Sequence, residues 1–166
     1  MTGPTILPLL QNAVRRLQAG DIAGALDDIE AALAKAPNDV EAVHLKAMAL
    51  GRAGRVDEAA AAFENAASRH PRPDIILVNY GNCLKNAGRI ADARAAYERA
   101  AAAAPNSADA QNALGLCFRQ LGDNAAARAA FEKALRVNPR HAHALNNLAM
   151  LEAASNRHEI AVELLL

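Results

Sequence analysis

Hydrophobic residues at the start of this chain follow the spacing of an α-helix. They form two stripes whose members stand three or four places apart: Ile6, Leu9 and Ala13, and Leu7, Leu10, Val14 and Leu17. That spacing places each stripe on one helical face. We expect the first stripe to face a core. The second is a candidate apolar interface: a partner, a second copy of the chain or another domain covers it, or the helix is rotated and buries a different face.

Small, large, glycine and proline positions recur every thirty-four residues. Prolines stand at Pro37, Pro71, Pro105 and Pro139, and glycines at Gly20, Gly54, Gly88 and Gly122, with Asn156 in the next glycine place. This period defines repeats at 6–39, 40–73, 74–107 and 108–141, with a partial fifth at 142–166. Within each repeat, position 8 is alanine or glycine, position 20 is alanine and position 24 is large and apolar.

Each repeat is predicted to be a helical hairpin. Small residues let two helix backbones approach, and one bulky side chain per repeat fills the space between one hairpin and the next. The glycine at position 15 suits the left-handed residue that ends a helix, and asparagine also tolerates that conformation. The proline stops the second helix, and polar stretches such as Asn38-Asp39 and Asn106-Ser107 can cap the helix that follows.

A thirty-four-residue unit with these positions resembles the tetratricopeptide repeat (TPR). The third repeat matches the family pattern almost throughout, at Leu77, Tyr80, Gly81, Leu84, Gly88, Ala93, Tyr97, Ala100 and Pro105. The resemblance spans nearly the whole chain. It implies an all-α fold, an α-solenoid of TPR hairpins forming one domain over residues 1–166. Successive hairpins are expected to form a right-handed superhelix whose inner wall is lined by first helices.

Composition and charge narrow the class of protein further. Aromatic residues make up only 3% of the chain and tryptophan is absent, which favours closely packed helices over sheets. Eighteen basic residues balance eighteen acidic ones, so nucleic acid is not an expected partner. No stretch is apolar for long enough to cross a membrane, and we expect a cytoplasmic protein. Cys83 and Cys117 occupy equivalent places in adjacent repeats, too far apart for a disulfide, and should be reduced.

The resemblance also implies which residues face the binding groove. In TPR proteins, positions 2, 5, 6, 9, 12 and 13 of each repeat face it. The candidate groove residues are Asn79, Asn82, Lys85, Asn86, Asn112, Arg119, Asn146 and Asn147. A side-chain amide both donates and accepts, so a ladder of asparagines can bind the main chain of an extended peptide. This set is similar to the asparagine ladder in the TPR region of the O-linked N-acetylglucosamine transferases.

Simpler interpretations remain open for these residues. Asparagine on an exposed helix face can be a solvated residue, although its poor helix propensity makes repeated use there destabilising. For Lys85 and Arg119, a solvated charge is as good an interpretation as contact with an acidic partner. The family's clamp for chaperone C-termini is missing, because its places hold Leu10, Val14, Leu45, Ile75 and Asn79. These residues do not supply the cations that the clamp requires.

Catalytic and metal-binding chemistry is not indicated by the sequence. Phosphate loops, nucleophile elbows and dinucleotide fingerprints are absent, and no histidine stands where it would activate either thiol. His141 and His143 form an H-x-H pair, but no cysteine is placed to complete a zinc site, and we interpret them as solvated residues at a repeat junction. We therefore expect no cofactor, no metal and no enzyme activity.

The sequence thus predicts a scaffold that binds a protein or peptide segment in its groove. The alternative is the substrate-recruiting N-terminal region of a larger enzyme, such as a glycosyltransferase or sulfotransferase. The fifth repeat ends within its second helix at Leu164-Leu165-Leu166, without the polar cap that repeat arrays need. We therefore expect either a longer protein or a homo-oligomer formed through the terminal repeats.

Overall fold

The structure, a computed structural model, describes residues 5–164 and is helical throughout, with no β-strand in that range. Ten α-helices follow one another: α1 (Leu7–Gln18), α2 (Ile22–Lys35), α3 (Val40–Arg52), α4 (Val56–Ala67), α5 (Pro73–Asn86), α6 (Ile90–Ala103), α7 (Ala108–Gln120), α8 (Asn124–Val137), α9 (Ala142–Ala154) and α10 (His158–Glu163). Leu165 and Leu166, at the end of the predicted fifth repeat, lie outside the described residues. The all-α prediction is confirmed.

The helices group into two compact units, Met1–Gly88 with α1 to α5 and Arg89–Leu166 with α6 to α10. In unit 1 each helix packs on the next, and the first helices of the repeats also contact one another, α1 with α3 and α3 with α5. Unit 2 repeats the arrangement, with consecutive helices in contact and α7 against α9. Within each unit, this is the side-by-side packing of helical hairpins that defines a solenoid.

The turn inside each hairpin uses the left-handed conformation expected at position 15. The glycines there, Gly20, Gly54, Gly88 and Gly122, have φ between 76° and 81°, and Asn156 has φ 59° in the same place. Asn156 is the one non-glycine residue with positive φ among those described. This confirms the prediction that asparagine would preserve the turn, since its side chain tolerates this conformation better than that of most residues.

Side-chain caps begin the helices that the sequence marked with polar stretches. Asp39 accepts a hydrogen bond from the backbone N–H of Ala42 at 2.8 Å, and Ser107 accepts one from Ala110 at 3.3 Å. Each cap satisfies an N–H group that has no partner within its own helix. Asp21, Asp123 and His141 cap α2, α8 and α9 in the same way.

The periodic small and large residues form the core of each unit. The alanines at position 20 are buried, as are the large side chains of Ile29, Phe63, Tyr97 and Phe131 at position 24. The need for a small residue is clearest at Gly115, where an added Cβ would stand 2.5 Å from Cε1 of Phe131. The ring therefore lies directly on the backbone of α7, as the repeat pattern predicted.

Candidate functional site

The candidate site in unit 1 lies on the face formed by the first helices α1, α3 and α5, which we call the first-helix face. In the first helix of a repeat, the side chains at positions 2, 6, 9 and 13 follow the spacing i, i+4, i+7, i+11. They therefore lie on one side of that helix. On α3 they are Glu41, Leu45, Met48 and Arg52, and on α5 they are Ile75, Asn79, Asn82 and Asn86. With the exception of Ile75, these side chains line two cavities.

A polar contact joins α3 to α5 between these cavities. The amide Nδ2 of Asn79 lies 3.0 Å from Nε2 of His44, thirty-five residues earlier in the chain. Because an amide nitrogen can only donate, Nε2 is the acceptor and the ring proton is on Nδ1, which lies 4.0 Å from Glu41 Oε2. Burial lowers the pKa of His44; the nearby Glu41 opposes this shift and His70 adds to it. The neutral ring is therefore favoured.

Next to this contact, residues of α3 and α5, with Phe63 of α4, line an open cavity of about 230 Å³. Its lining residues are Met48, Gly51, Arg52, Phe63, Asn79, Asn82, Cys83 and Asn86. The guanidinium of Arg52 is held from one side, since Nη1 donates to the backbone oxygen of Leu17 at 2.6 Å. That oxygen belongs to the last turn of α1. The cavity thus combines one anchored cation with several amide groups.

The second cavity, of about 510 Å³, is mostly apolar. Its lining residues are Leu7, Leu10, Gln11, Val14, Arg15, Glu41 and Leu45. Leu10 and Leu45 hold positions 5 and 6, the places that His44 and Asn79 occupy one repeat later. Two leucines therefore replace the polar pair at this junction between repeats.

The structure narrows the predicted apolar stripe of α1. Leu10 and Leu17 are only 8% and 4% exposed and belong to the core, whereas Leu7 is 57% and Val14 37% exposed. The expectation that all four residues form an open strip is thus corrected. The helix is turned so that Leu10, Ala13 and Leu17 pack inward while Ile6 and Leu9 are only partly buried, as in the rotated alternative.

Unit 2 contains the same kind of polar contact on its own first-helix face, formed by α7 and α9. The amide Nδ2 of Asn147 donates to Oδ1 of Asn112 at 2.9 Å. These residues stand thirty-five apart, at positions 5 and 6, as His44 and Asn79 do. Asn112 is only 9% exposed and thus lies largely between the helices rather than on an open wall. Asn147 is partly exposed.

The remaining predicted groove residues lie apart from these two contacts. Lys85 and Arg119 are partly exposed, and neither makes an ion pair within residues 5–164. Asn86 and Asn146 are exposed. Asn146 lines a largely apolar cavity of about 460 Å³, which Met150 and Val162 also line, near the end of the described chain.

Sequence reasoning missed three residues of the first-helix face: His44, Met48 and Arg52. Each occupies a groove position of the second repeat, at places 5, 9 and 13. The same positional rule that identified Asn79 and Asn86 therefore identifies them too.

One histidine of the H-x-H pair, His141, has a structural role. His141 Nδ1 accepts from the backbone N–H of Ala144 at 3.1 Å, and its Nε2 lies 2.9 Å from Oδ1 of Asp109. His141 is therefore a helix cap, which corrects its interpretation as a solvated junction residue, while His143 is exposed. Between residues 5 and 164, no three histidine, cysteine or acidic side chains meet in a way that could hold a metal ion. Cys83 and Cys117 are both thiols.

Two family models match the sequence. The model described as "Psidin, N-terminal TPR repeats region" matches residues 10–125, which is more than half of the chain, and a tetratricopeptide repeat model matches residues 112–166. The chain belongs to the tetratricopeptide repeat family. Its hairpins are TPR hairpins, and proteins of this family generally mediate interactions between proteins. No curated protein matches this TPR chain in sequence.

Solved structures share the TPR fold at low sequence identity. The pilF protein of Pseudomonas aeruginosa has a TM-score of 0.79 at 23% identity, over 96% of this chain and 72% of its own. MamA from Desulfovibrio magneticus RS-1 has a TM-score of 0.73 at 22% identity, over 99% and 93%. YrrB, described as a TPR protein with an unusual peptide-binding site, has 0.63 at 21%, over 97% and 83%. Likeness at this identity shows a common fold alone.

None of the helices described for this TPR chain combines the length and the hydrophobicity that spanning a lipid bilayer requires.

Proposed function

We propose that this TPR chain is a non-catalytic scaffold that binds an extended peptide or protein segment on its first-helix faces. The observation that carries the proposal is the pair of interhelical amide contacts, His44 with Asn79 and Asn112 with Asn147. Each contact orients an asparagine and uses only part of its hydrogen-bonding capacity. Asn79 and Asn147 both keep an N–H and the amide oxygen for a ligand, with no other partner among the described residues.

An oriented amide suits recognition of a peptide main chain. The peptide group offers one donor and one acceptor per residue, which is what a side-chain amide complements. Because the neighbouring helix already holds each asparagine, less side-chain entropy is lost when a ligand binds. Asn82 lies on the same side of α5 as Asn79, one turn further on, and extends the surface. YrrB, whose description names a peptide-binding site, is a precedent for this use of the fold.

The exposed apolar side chains of Leu7 and Val14 add a second component to the proposed surface. They line the 510 Å³ cavity of unit 1, which would accept aliphatic side chains of the bound segment. Hydrogen bonds to the main chain would then supply affinity without sequence preference. The apolar cavity would supply a preference for segments with aliphatic side chains.

A phage-displayed library of random peptides tests the proposal. We expect peptides enriched on the native chain to bind an Asn79→Ala, Asn147→Ala variant about tenfold more weakly or worse, since each lost hydrogen bond costs about 1 kcal/mol. The control is Asn65→Ala, Asn124→Ala, which removes two amides from the second helices α4 and α8. Equal affinity for all three chains, or no enrichment at all, would refute the proposal.

The alternative role is recruitment of substrate for a transferase within a larger protein. The asparagines that resemble those of the O-linked N-acetylglucosamine transferases favour it, and the binding surface would be the same. The two roles differ in whether the same polypeptide also contains a catalytic domain. The coding sequence of the gene distinguishes them. Within either role we propose a cytoplasmic protein, as the sequence predicts.

A further inference from the structure

We infer that the cavity between α3 and α5 is a carboxylate-binding site with Arg52 as its cation. The ligand group is either an acidic side chain or the C-terminal carboxylate of a peptide. The inference rests on the proposed function, since it assigns a chemical preference to part of the peptide-binding surface. It concerns one cavity in unit 1, and main-chain binding elsewhere does not depend on it.

The lining of the cavity carries one positive charge and no negative charge. Among its lining residues within the described chain, Arg52 alone has a formal charge, and no carboxylate is present to balance it. Several other arginines pair with nearby acids, such as Arg55 with Glu58 and Arg94 with Glu98, although Arg119 does not. Arg52 forms no ion pair with any residue between 5 and 164. A cation in a recess without a counter-charge favours an anionic ligand.

Arg52 has hydrogen-bond donors that no residue of the described chain uses. A guanidinium has five N–H donors, and Arg52 uses one N–H of Nη1 to donate to Leu17 O. This bond fixes the orientation of the planar group and leaves the other donors for a ligand. Two parallel N–H donors match the two oxygens of a carboxylate. Asn79 and Asn86 add amide donors from α5 across the cavity.

Size indicates a single ligand group. At about 230 Å³ the cavity is smaller than the roughly 300–1,000 Å³ typical of sites for whole small molecules. It is therefore suited to one side chain or one chain end of a larger ligand. The buried ring of Phe63 and the side chain of Met48 provide an apolar wall on one side of the cavity. Arg52 itself is exposed, so solvent screens part of its charge.

The neighbouring apolar cavity determines in which direction a bound segment would lie along unit 1. Leu45 and Glu41 line the apolar cavity from the same side of α3 on which Met48 and Arg52 line the cationic one. A segment that crosses unit 1 would meet aliphatic surface near Leu45 and a cation near Arg52. Glu41 would disfavour a second carboxylate at the apolar end. The site shares Asn79 with the places of the chaperone-tail clamp, but the other places hold Leu10, Val14, Leu45 and Ile75, and its cation Arg52 is not one of them.

Three immobilised peptide pools test the site with the full chain. One pool of random peptides has a free C-terminus and no acidic side chain, one is amidated and contains a single Glu, and one is amidated without acids. We expect the first or the second pool to bind the native chain at least tenfold more tightly than the third. Preference for the first identifies a C-terminal carboxylate, and preference for the second an acidic side chain.

Two variants separate recognition from folding. Arg52→Gln removes the cation, and Asn86→Asp keeps the contact between Arg52 and Leu17 but places a competing carboxylate on the cavity. Both should remove the tenfold preference. Arg136→Gln, which makes the same charge change on the exposed side of α8, should keep it. If the three pools bind native chain and variants alike, the carboxylate site is wrong while peptide binding stands. If no pool binds, both proposals fail.

Discussion

Asn147 donates a hydrogen bond from its side-chain amide to that of Asn112, thirty-five residues earlier, and the distance between the two atoms is 2.9 Å. His44 and Asn79 form the corresponding contact two repeats earlier, with an imidazole nitrogen as the acceptor. In both cases position 5 of one first helix pairs with position 6 of the next. The two contacts differ in one respect: an imidazole titrates near neutral pH and an amide does not.

This difference predicts a pH dependence for unit 1 that His44→Asn should reduce. Since burial lowers the pKa of His44 in the folded chain, the unfolded chain takes up the proton first as the pH falls. The contribution of His44 is therefore fully present above its unfolded pKa of about 6.5 and is lost as the pH falls through that value toward the lower folded one. Protonation would also remove the acceptor for Asn79.

Urea unfolding of the native chain and the His44→Asn variant, measured between pH 8 and pH 5, checks this prediction. The variant copies the pairing of Asn112 with Asn147 and should keep more of its stability at pH 5 than the native chain keeps. Glu41 and His70, which also act on His44, are unchanged in the variant. Stability curves that run parallel over the whole range would show that His44 makes no such contribution.

Gly115→Ala is expected to destabilise unit 2 through contact with Phe131. The added methyl group would stand 2.5 Å from the ring, and such overpacking typically costs about 1–3 kcal/mol. Higher helix propensity returns about 1 kcal/mol, so the net loss is about 1 kcal/mol. In a Phe131→Ile background the same change should cost less, because Ala13 and Ile29 occupy the equivalent places in unit 1. A double-mutant cycle with no coupling energy contradicts this account.

Gln111→Leu should stabilise the chain. Gln111 is buried, and its Nε2 has no hydrogen-bond partner among the described residues. A buried polar group without a partner costs about 1–3 kcal/mol, so leucine should raise the free energy of unfolding by about 1–2 kcal/mol. Equivalent positions already hold Leu9, Leu77 and Leu145. Gln111→Ala is the control, since it removes the amide but leaves a cavity. A lower denaturation midpoint for the leucine variant would count against the assignment.

Glu152→Leu is expected to lower the free energy of unfolding less than Glu152→Ala does. The Glu152 carboxylate is buried and pairs with Arg128 on α8 and with Arg157 ahead of α10. Alanine would leave a cavity and take the partner from both arginines, at a cost of about 3–5 kcal/mol. Leucine fills the space, as Leu50 and Leu84 do at the same position, and both arginines are exposed enough to reach solvent. Denaturant midpoints of the two variants compare them directly. Equal losses would mean that the charge, and not the volume, matters at this position.

The repeat positions alone were enough to predict the hairpins, their turns, the caps at Asp39 and Ser107, and the buried residues at positions 8, 20 and 24 of the described repeats. Ala25, Gly54 and Phe131 could be assigned because their roles depend on helix periodicity, local backbone conformation and side-chain volume. These properties belong to a short segment and recur in every repeat. The pattern also identified the asparagines of the first-helix faces, although not what each one contacts.

The contacts between repeats depended on the offset and rotation of neighbouring helices, which residue spacing does not specify. For this reason Asn112 is largely buried beneath Asn147, Leu10 and Leu17 of α1 join the core, and Arg52 reaches back to the end of α1. Asn112 and Arg52 each contact a residue thirty-five places away in the chain. Their environment is therefore set by how two helices pack, and a shift of one helix by one residue would exchange buried for exposed positions.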